Sequence, residues 1–220
     1  VMLPQKITRM KQFLNKMNRE FFVDFEVLTG VFDNLDQLPR SNPINMIFMI
    51  SAAWFEPASP RSDGGPEEAK LCCTTFCVDN LSLQSEAKMM REFLDFIGKD
   101  SELYHWADAE PIQWAAALRR HPDKFVQDGD TLKDRWTDIL WLFKEEPITI
   151  KGCFSHSLKE VMRALKSLGL VECEWTSEVT AGDEAMIHAY RELSAGRTIE
   201  TSKVLQDIAM YNQIDCIAIS

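Results

Sequence analysis

No apolar run in this sequence reaches the roughly 18 residues that a membrane-crossing helix needs, and no charged-then-apolar leader is visible. A membrane partner is therefore not expected. There is also no C-x-x-C pair among the six cysteines, Cys72, Cys73, Cys77, Cys153, Cys173 and Cys216. That spacing argues against a zinc ribbon and against a compact disulfide framework, and favours reduced thiols in an intracellular protein, cytoplasmic or nuclear. Positive charge is scarce: 24 Lys and Arg stand against 34 Asp and Glu, for a formal net charge of -10. A surface that grips nucleic acid by basic charge alone would not have this balance. An acidic protein can still act on phosphates where divalent cations stand between the two negative partners. Internal repeats and low-complexity tracts are absent.

What is present is enough apolar material for one sizeable core. The 220 residues are 45% hydrophobic, which suits one domain with or without an extension. Residues 5–20, "QKITRMKQFLNKMNRE", are basic and amphipathic and read as a helical lead-in or linker, so the expected division is 1–19 and a domain over 20–220. The chain opens on Val1 and closes on "DCIAIS", as expected of an excerpt from a longer protein with further domains.

Three strand-like runs come first: "FFVDFEVL" (21–28), "NMIFMISAAWF" (45–55) and "KLCCTTFCVDN" (70–80). The segments between them, 30–43 and 56–69, are rich in turn formers and carry no helical period, so an antiparallel meander is expected. The period then changes. Met89, Met90, Phe93, Leu94 and Ile97 recur at helical spacing within 81–99. "ELYHWA" (102–107) reads as a strand. Helices are expected over 110–121, with Pro111 in the first turn, and over 130–146. "ITIKGC" reads as a short strand. Residues 155–169 have a Ser start, Glu160 early and Gly169 as the stop. Two more helices are expected over 182–193 and 200–220. The fold class is α/β, with a mixed central sheet, three antiparallel strands then parallel ones, flanked by helices.

Within "FFVDFEVL" two carboxylates, Asp24 and Glu26, lie two residues apart and so on one face of the strand. The spacing alone suits a half-buried strand whose polar face meets solvent. If the strand is buried, two unpaired carboxylates cost several kcal/mol, and a hard divalent cation relieves that cost. Other acids join the pair. Glu110 stands just past the fifth strand at a helix start, with Asp108 as the rival candidate; a plain role at the helix N-terminus accounts for either. Tyr211 and Asp215 lie at i and i+4 on a largely apolar helix and share a face. For substrate contact, Trp106, Trp114, His156 and Lys159 are candidates, although core packing accounts equally for both tryptophans. His105 reads as a buried, satisfied imidazole or a catalytic one. His121 and His188 carry no readable signal.

A strand with D-x-E, an acid five residues after a His at a strand-to-helix junction, and a late helix with Y-x-x-x-D together resemble the DEDD exonucleases of the ribonuclease H-like superfamily. The tyrosine places the resemblance with the DEDDy branch. Within it the chain looks most like the YprB-like domain associated with predicted RecB-family nucleases. "YHWADAE" (104–110) is similar to that family's "YHYxxYE", departing at Trp106 and Ala109. Ser157, Leu158 and Lys159 match "SLK", followed by Leu168 and Gly169. Gly182, Glu184, Ala185 and Tyr190 follow "GxEAxxxY" with a one-residue shift, and Tyr211, Asn212, Asp215 and Cys216 match "YNxxDC". The resemblance spans roughly residues 20–220.

The resemblance implies a ribonuclease H-like fold and a 3′-to-5′ exonuclease acting on single-stranded DNA or RNA. Asp24, Glu26, Glu110 and Asp215 would hold two divalent cations, Mg²⁺ or Mn²⁺, about 3.5–4 Å apart. Asp24 would be the bridging ligand, and Tyr211 would orient the attacking water. Glu110 stands where the wider superfamily has an aspartate. That departure keeps a second expectation in view, a catalytically degenerate module that binds nucleic acid or a protein partner without cutting.

Overall fold

A computed structural model describes residues 2–3, 19–29, 45–56, 69–125, 132–146, 148–173, 175 and 182–220. The expected helical lead-in lies outside the described residues, except that Arg19 and Glu20 already belong to a strand. Most of the two turn-rich segments, 30–44 and 57–68, also lies outside them.

The elements are β1 (Met2–Leu3), β2 (Arg19–Leu28), β3 (Met46–Glu56), β4 (Lys70–Cys77), α1 (Leu83–Ile97), β5 (Ser101–His105), α2 (Ala109–Arg120), α3 (Pro122–Phe125), β6 (Trp136–Asp138), α4 (Ile139–Glu145), β7 (Thr149–Ile150), α5 (Leu158–Ser167), α6 (Gly182–Ser194) and α7 (Lys203–Ile219). Five strands form one sheet in the order β4-β3-β2-β5-β6. β2, β3 and β4 are antiparallel neighbours, whereas β5 and β6 run parallel to β2. The meander and the later parallel strands are thus as the sequence implied. β1 and β7 make a separate antiparallel pair.

The element order explains the topology. After β2 the chain builds outward on one side through two tight antiparallel neighbours, then crosses by α1 and builds outward on the other side. β2 is therefore the strand where the order reverses, the place where open α/β sheets form a crevice. β3 is buried over its first eight residues, as a strand covered on both faces should be, and reads as an unbroken apolar run.

Alternation along β2 sends its two faces to different layers. Phe21, Val23 and Phe25 point to α1 and α2, where Phe25 packs against Phe93 and Trp114. Phe22 and Asp24 point to α7, where Phe22 joins Tyr104, Cys216 and Ile219. Trp114 is thus a core residue, 1% exposed.

One expected element is corrected. The helix expected over 130–146 is a strand followed by a shorter helix. Trp136 and Thr137 pair with Leu103 and Tyr104, as suits an aromatic and a β-branched residue at a sheet edge. Asp138 then caps α4, its side chain accepting from the Leu140 amide at 2.8 Å. The apolar spacing around Trp136 fits a helix, but the cap residue marks where the helix begins. Elsewhere the signals hold: Ser157 caps α5, and Gly169 sits at φ +69 past its end, a conformation that favours glycine.

Candidate active site

The site sits where β5 stops short. β5 pairs with β2 only as far as Phe22↔Tyr104, so beyond that point β2 has no partner on this side and Asp24 and Glu26 line a gap. The chain leaves β5 at His105, turns through 106–108 and enters α2. That turn brings the first residues of α2 to the gap, and Glu110 is buried there, 4% exposed. Asp108 is exposed and makes no side-chain cap bond. Geometry thus separates the two rivals. The turn is strained: Ala107 has φ +70, a conformation costing a β-carbon-bearing residue about 1–2 kcal/mol. It is held by its N–H donating to Asp138 Oδ1 at 2.9 Å and by its carbonyl pairing with His105 Nδ1.

From the other face of the sheet, α7 supplies Tyr211, Asn212 and Asp215. Its buried positions include Ile208, Tyr211, Asn212, Asp215, Cys216 and Ile219, a stripe at the three- and four-residue spacing of one helix face. The stripe is apolar at its ends and polar in its centre, and the polar centre crosses Asp24. Asn212 Nδ2 donates to Asp24 Oδ2. Gln213 Nε2 donates to Thr75 Oγ1 at 2.8 Å, tying α7 to β4 as well.

The carboxyls interact with one another. Asp24 meets Glu110 in a side-chain hydrogen bond and feels the charges of Glu110, Asp215 and Glu26. Its titration is pushed well above the usual carboxylate range, first by removal from water and then by those three neighbours. Burial and then Asp215 raise Glu26 to about 8, with Lys159 opposing. Burial raises Asp215 to about 6, moderated by a hydrogen bond from Trp175 and by Lys159. That bond runs from Trp175 Nε1 to Asp215 Oδ1 at 2.8 Å. Without a cation, then, the cluster keeps protons at neutral pH, because several like charges at low dielectric cannot all ionise.

Among the described residues, Lys159, in the first turn of α5, is the lysine that faces this cluster. Its Nζ donates to the Tyr211 hydroxyl at 2.7 Å. Burial and the nearby Asp215, Glu26 and Asp24 charges push the Tyr211 phenol above its ordinary value. His105, buried on the Glu110 side, has Nδ1 at 3.5 Å from Glu110 Oε2.

Two buried acceptors at the site lack a hydrogen-bond partner, Glu110 Oε2 and Asn212 Oδ1. Hard oxygens left bare in this way suit a hard divalent cation, and the donor set is carboxylates with one amide. Among the described residues no three His, Cys, Asp or Glu side chains stand as an assembled cation cage; the acids are proton-sharing neighbours. The five residues singled out from sequence thus come together, Asp24, Glu26 and Glu110 around the end of β5 and Tyr211 and Asp215 on α7. Asn212, quoted only as part of a motif, and Trp175, not singled out at all, join them. No periodicity in the sequence around Trp175 marks it.

A cavity of about 620 Å³ lies elsewhere, beside the start of α1. Two of its cations are engaged, Lys88 by Asp79 at 2.7 Å and Arg91 by the Lys124 carbonyl at 2.6 Å. Among the described residues no helix is long and apolar enough to cross a membrane. Comparison with protein-family models, curated proteins and solved structures gave no match.

Proposed function

We propose that the protein is a metal-dependent nuclease that hydrolyses phosphodiester bonds of single-stranded DNA or RNA, a 3′-to-5′ exonuclease of the DEDDy type on a ribonuclease H-like fold. One observation carries this reading. Four carboxyls and a tyrosine, drawn from β2, α2 and α7, meet in one buried cluster at the strand where the sheet order reverses, with Lys159 as the one lysine that faces them among the described residues. The sequence resemblance to the YprB-like family supports the same reading through the same five residues.

Asp24, Glu26, Glu110 and Asp215 would hold the divalent cations, Mg²⁺ or Mn²⁺, with Asp24 central because it touches Glu110 and Asn212 and feels Asp215. When bound, such cations lower the pKa of water and stabilise charge on the attacking and leaving oxygens. The chain's own residues do the rest. Asp24 and Glu26 give up the protons they hold at neutral pH, and the carboxyls become the negative seat of the site. Asn212 fixes the orientation of the Asp24 carboxyl through its amide N–H. Lys159 fixes the Tyr211 hydroxyl by donating to it, which leaves the phenolic hydrogen free to turn toward a water near Asp215. Trp175 holds Asp215 by one oxygen and leaves the other for the site. His105, against Glu110 Oε2, limits where that carboxyl can swing.

The test is degradation of 5′-labelled single-stranded DNA and a matched RNA with Mn²⁺, with Mg²⁺ and with EDTA, beside Asp24→Asn. The expected result is a metal-dependent ladder of shortened products that the variant lacks. Tight binding of either strand with no cleavage in any metal would favour the degenerate binding module. Full activity in Asp24→Asn would sink the assignment.

A further inference from the structure

Phe154 is 94% exposed, and what makes it informative is the aromatic-lined cavity beside it rather than its exposure alone. It stands at the mouth of a small cavity of about 150 Å³. Phe143, Phe154 and His156 wall it, and Ile150 and Val161 form its apolar floor. Ser155 adds a hydroxyl at the rim. A cavity of about this volume accepts one benzene-sized ring when its lining is apolar.

Two short stretches of chain link the cavity to the acid cluster. Trp106, which directly follows His105 on the way to Glu110, donates from Nε1 to the His156 carbonyl at 2.9 Å. Its ring packs against Phe143 with centroids 5.2 Å apart. His156 lies three residues before Lys159, whose Nζ reaches Tyr211, so the backbone between them spans at most about 11 Å. A strand whose phosphate sits at the carboxyls can therefore reach this cavity within a few repeat units.

We propose that the Phe154–His156 cavity is a base-binding pocket for a single-stranded nucleic acid: one unstacked nucleobase lies between Phe154 and Phe143, its edge toward His156 and Ser155. The inference rests on the nuclease reading and adds where the strand is held. The chemistry fits this occupant. Every base has a π-face that stacks on an aromatic side chain without regard to sequence, and an imidazole and a hydroxyl offer donors and acceptors to a base edge. Because the chain is acidic overall, stacking replaces the basic groove that most single-strand binders use.

The test is equilibrium binding, followed by fluorescence anisotropy, of fluorescein-labelled single-stranded DNA and RNA dodecamers to the full chain in Ca²⁺. A single abasic residue is walked inward from the 3′ end. Cleavage in Mn²⁺ is measured in parallel. One abasic position is expected to weaken binding about tenfold, and Phe154→Ala is expected to weaken the intact oligomer similarly while abolishing the penalty at that position. Phe154 is exposed, so the variant keeps the fold, and circular dichroism checks it. If the oligomers are bound and cut but no position stands out, or Phe154→Ala binds like the parent, the pocket is overturned and the nuclease reading stands. If the folded chain neither binds nor cuts either strand, the nuclease reading fails and the pocket with it.

Discussion

Two sets of buried acids lie on opposite faces of the same sheet, and they are treated differently. Glu86, in the first turn of α1, is fully buried. Its carboxylate accepts from the Ile47 amide at 2.9 Å, from Arg120 Nε at 3.2 Å and from His121 Nε2 at 2.8 Å. It ties α1, β3 and the end of α2 together, and every oxygen is used. The Asp24 cluster gathers four carboxyls, faces one lysine, keeps protons near neutral pH and leaves Glu110 Oε2 bare. A charge buried to hold the fold is given partners. A cluster of like charges without them is a cost to the fold, and such costs persist where they serve a site.

The comparison breaks most sharply on activity. Asp24→Asn and Asp215→Asn are expected to reduce hydrolysis on the order of 10³-fold while leaving the fold intact or firmer, because each removes a carboxyl whose ionisation the fold disfavours. Glu86→Gln is expected to leave the rate per folded molecule unchanged. Titrating the folded fraction and measuring product per folded molecule separates the two. Equal losses in both clusters would mean that the acid cluster is structural as well.

The order reverses on stability. Glu86→Ala strands the Arg120 guanidinium and the Ile47 amide and is expected to cost about 3 kcal/mol, read as a lowered urea midpoint at unchanged slope. Asp24→Asn should raise the midpoint.

A pH series sharpens the same contrast. In EDTA the native carboxyls titrate higher than in the unfolded chain, Glu26 near 8 and Asp215 near 6. The native state then binds more protons than the unfolded state between about pH 5 and 8, so stability falls as pH rises through that window. The slope is about 1.4 kcal/mol per pH unit for each proton retained, and a loss of at least about 2 kcal/mol is expected. Glu26→Gln should flatten the curve. So should Mn²⁺ at saturating concentration, which takes the protons' place. A curve equally steep in Glu26→Gln would remove Glu26 from the titrating set.

Much of this was legible in the sequence. Strand alternation put Asp24 and Glu26 together, helical spacing put Tyr211 and Asp215 together, and loops without helical period gave the meander. What was not legible depends on where elements stop. That β5 ends opposite Phe22, opening the gap for Glu110, is a matter of register. β6 was hidden because Trp136 continues the apolar spacing of α4, and only the capping role of Asp138 divides them. His121 carries no signal alone because its partner, Glu86, lies 35 residues away. Both buried clusters are built from long-range pairings of this kind, which local patterns do not encode.

Trp175 gives the smallest and most discriminating difference between the clusters. Its indole N–H holds Asp215 Oδ1 at 2.8 Å and draws the Asp215 titration downward. In the Glu86 set the analogous bonds come from a guanidinium and an imidazole, and losing one leaves others. Among the described residues, Asp215 has no such reserve except the field of Lys159. Trp175→Phe keeps the ring and removes the donor, so it is expected to cost about 1 kcal/mol when Asp215 is ionised and less when it is protonated. The difference must therefore grow as pH rises past about 6, the reverse of a packing defect, which would be constant with pH. Carboxyl-carbon NMR of Asp215 across pH 4 to 9 in EDTA should follow the shift directly, moving its titration upward in the variant. An unmoved titration with a constant loss of stability would make Trp175 a packing residue and leave Lys159 as the group that sets the charge of Asp215.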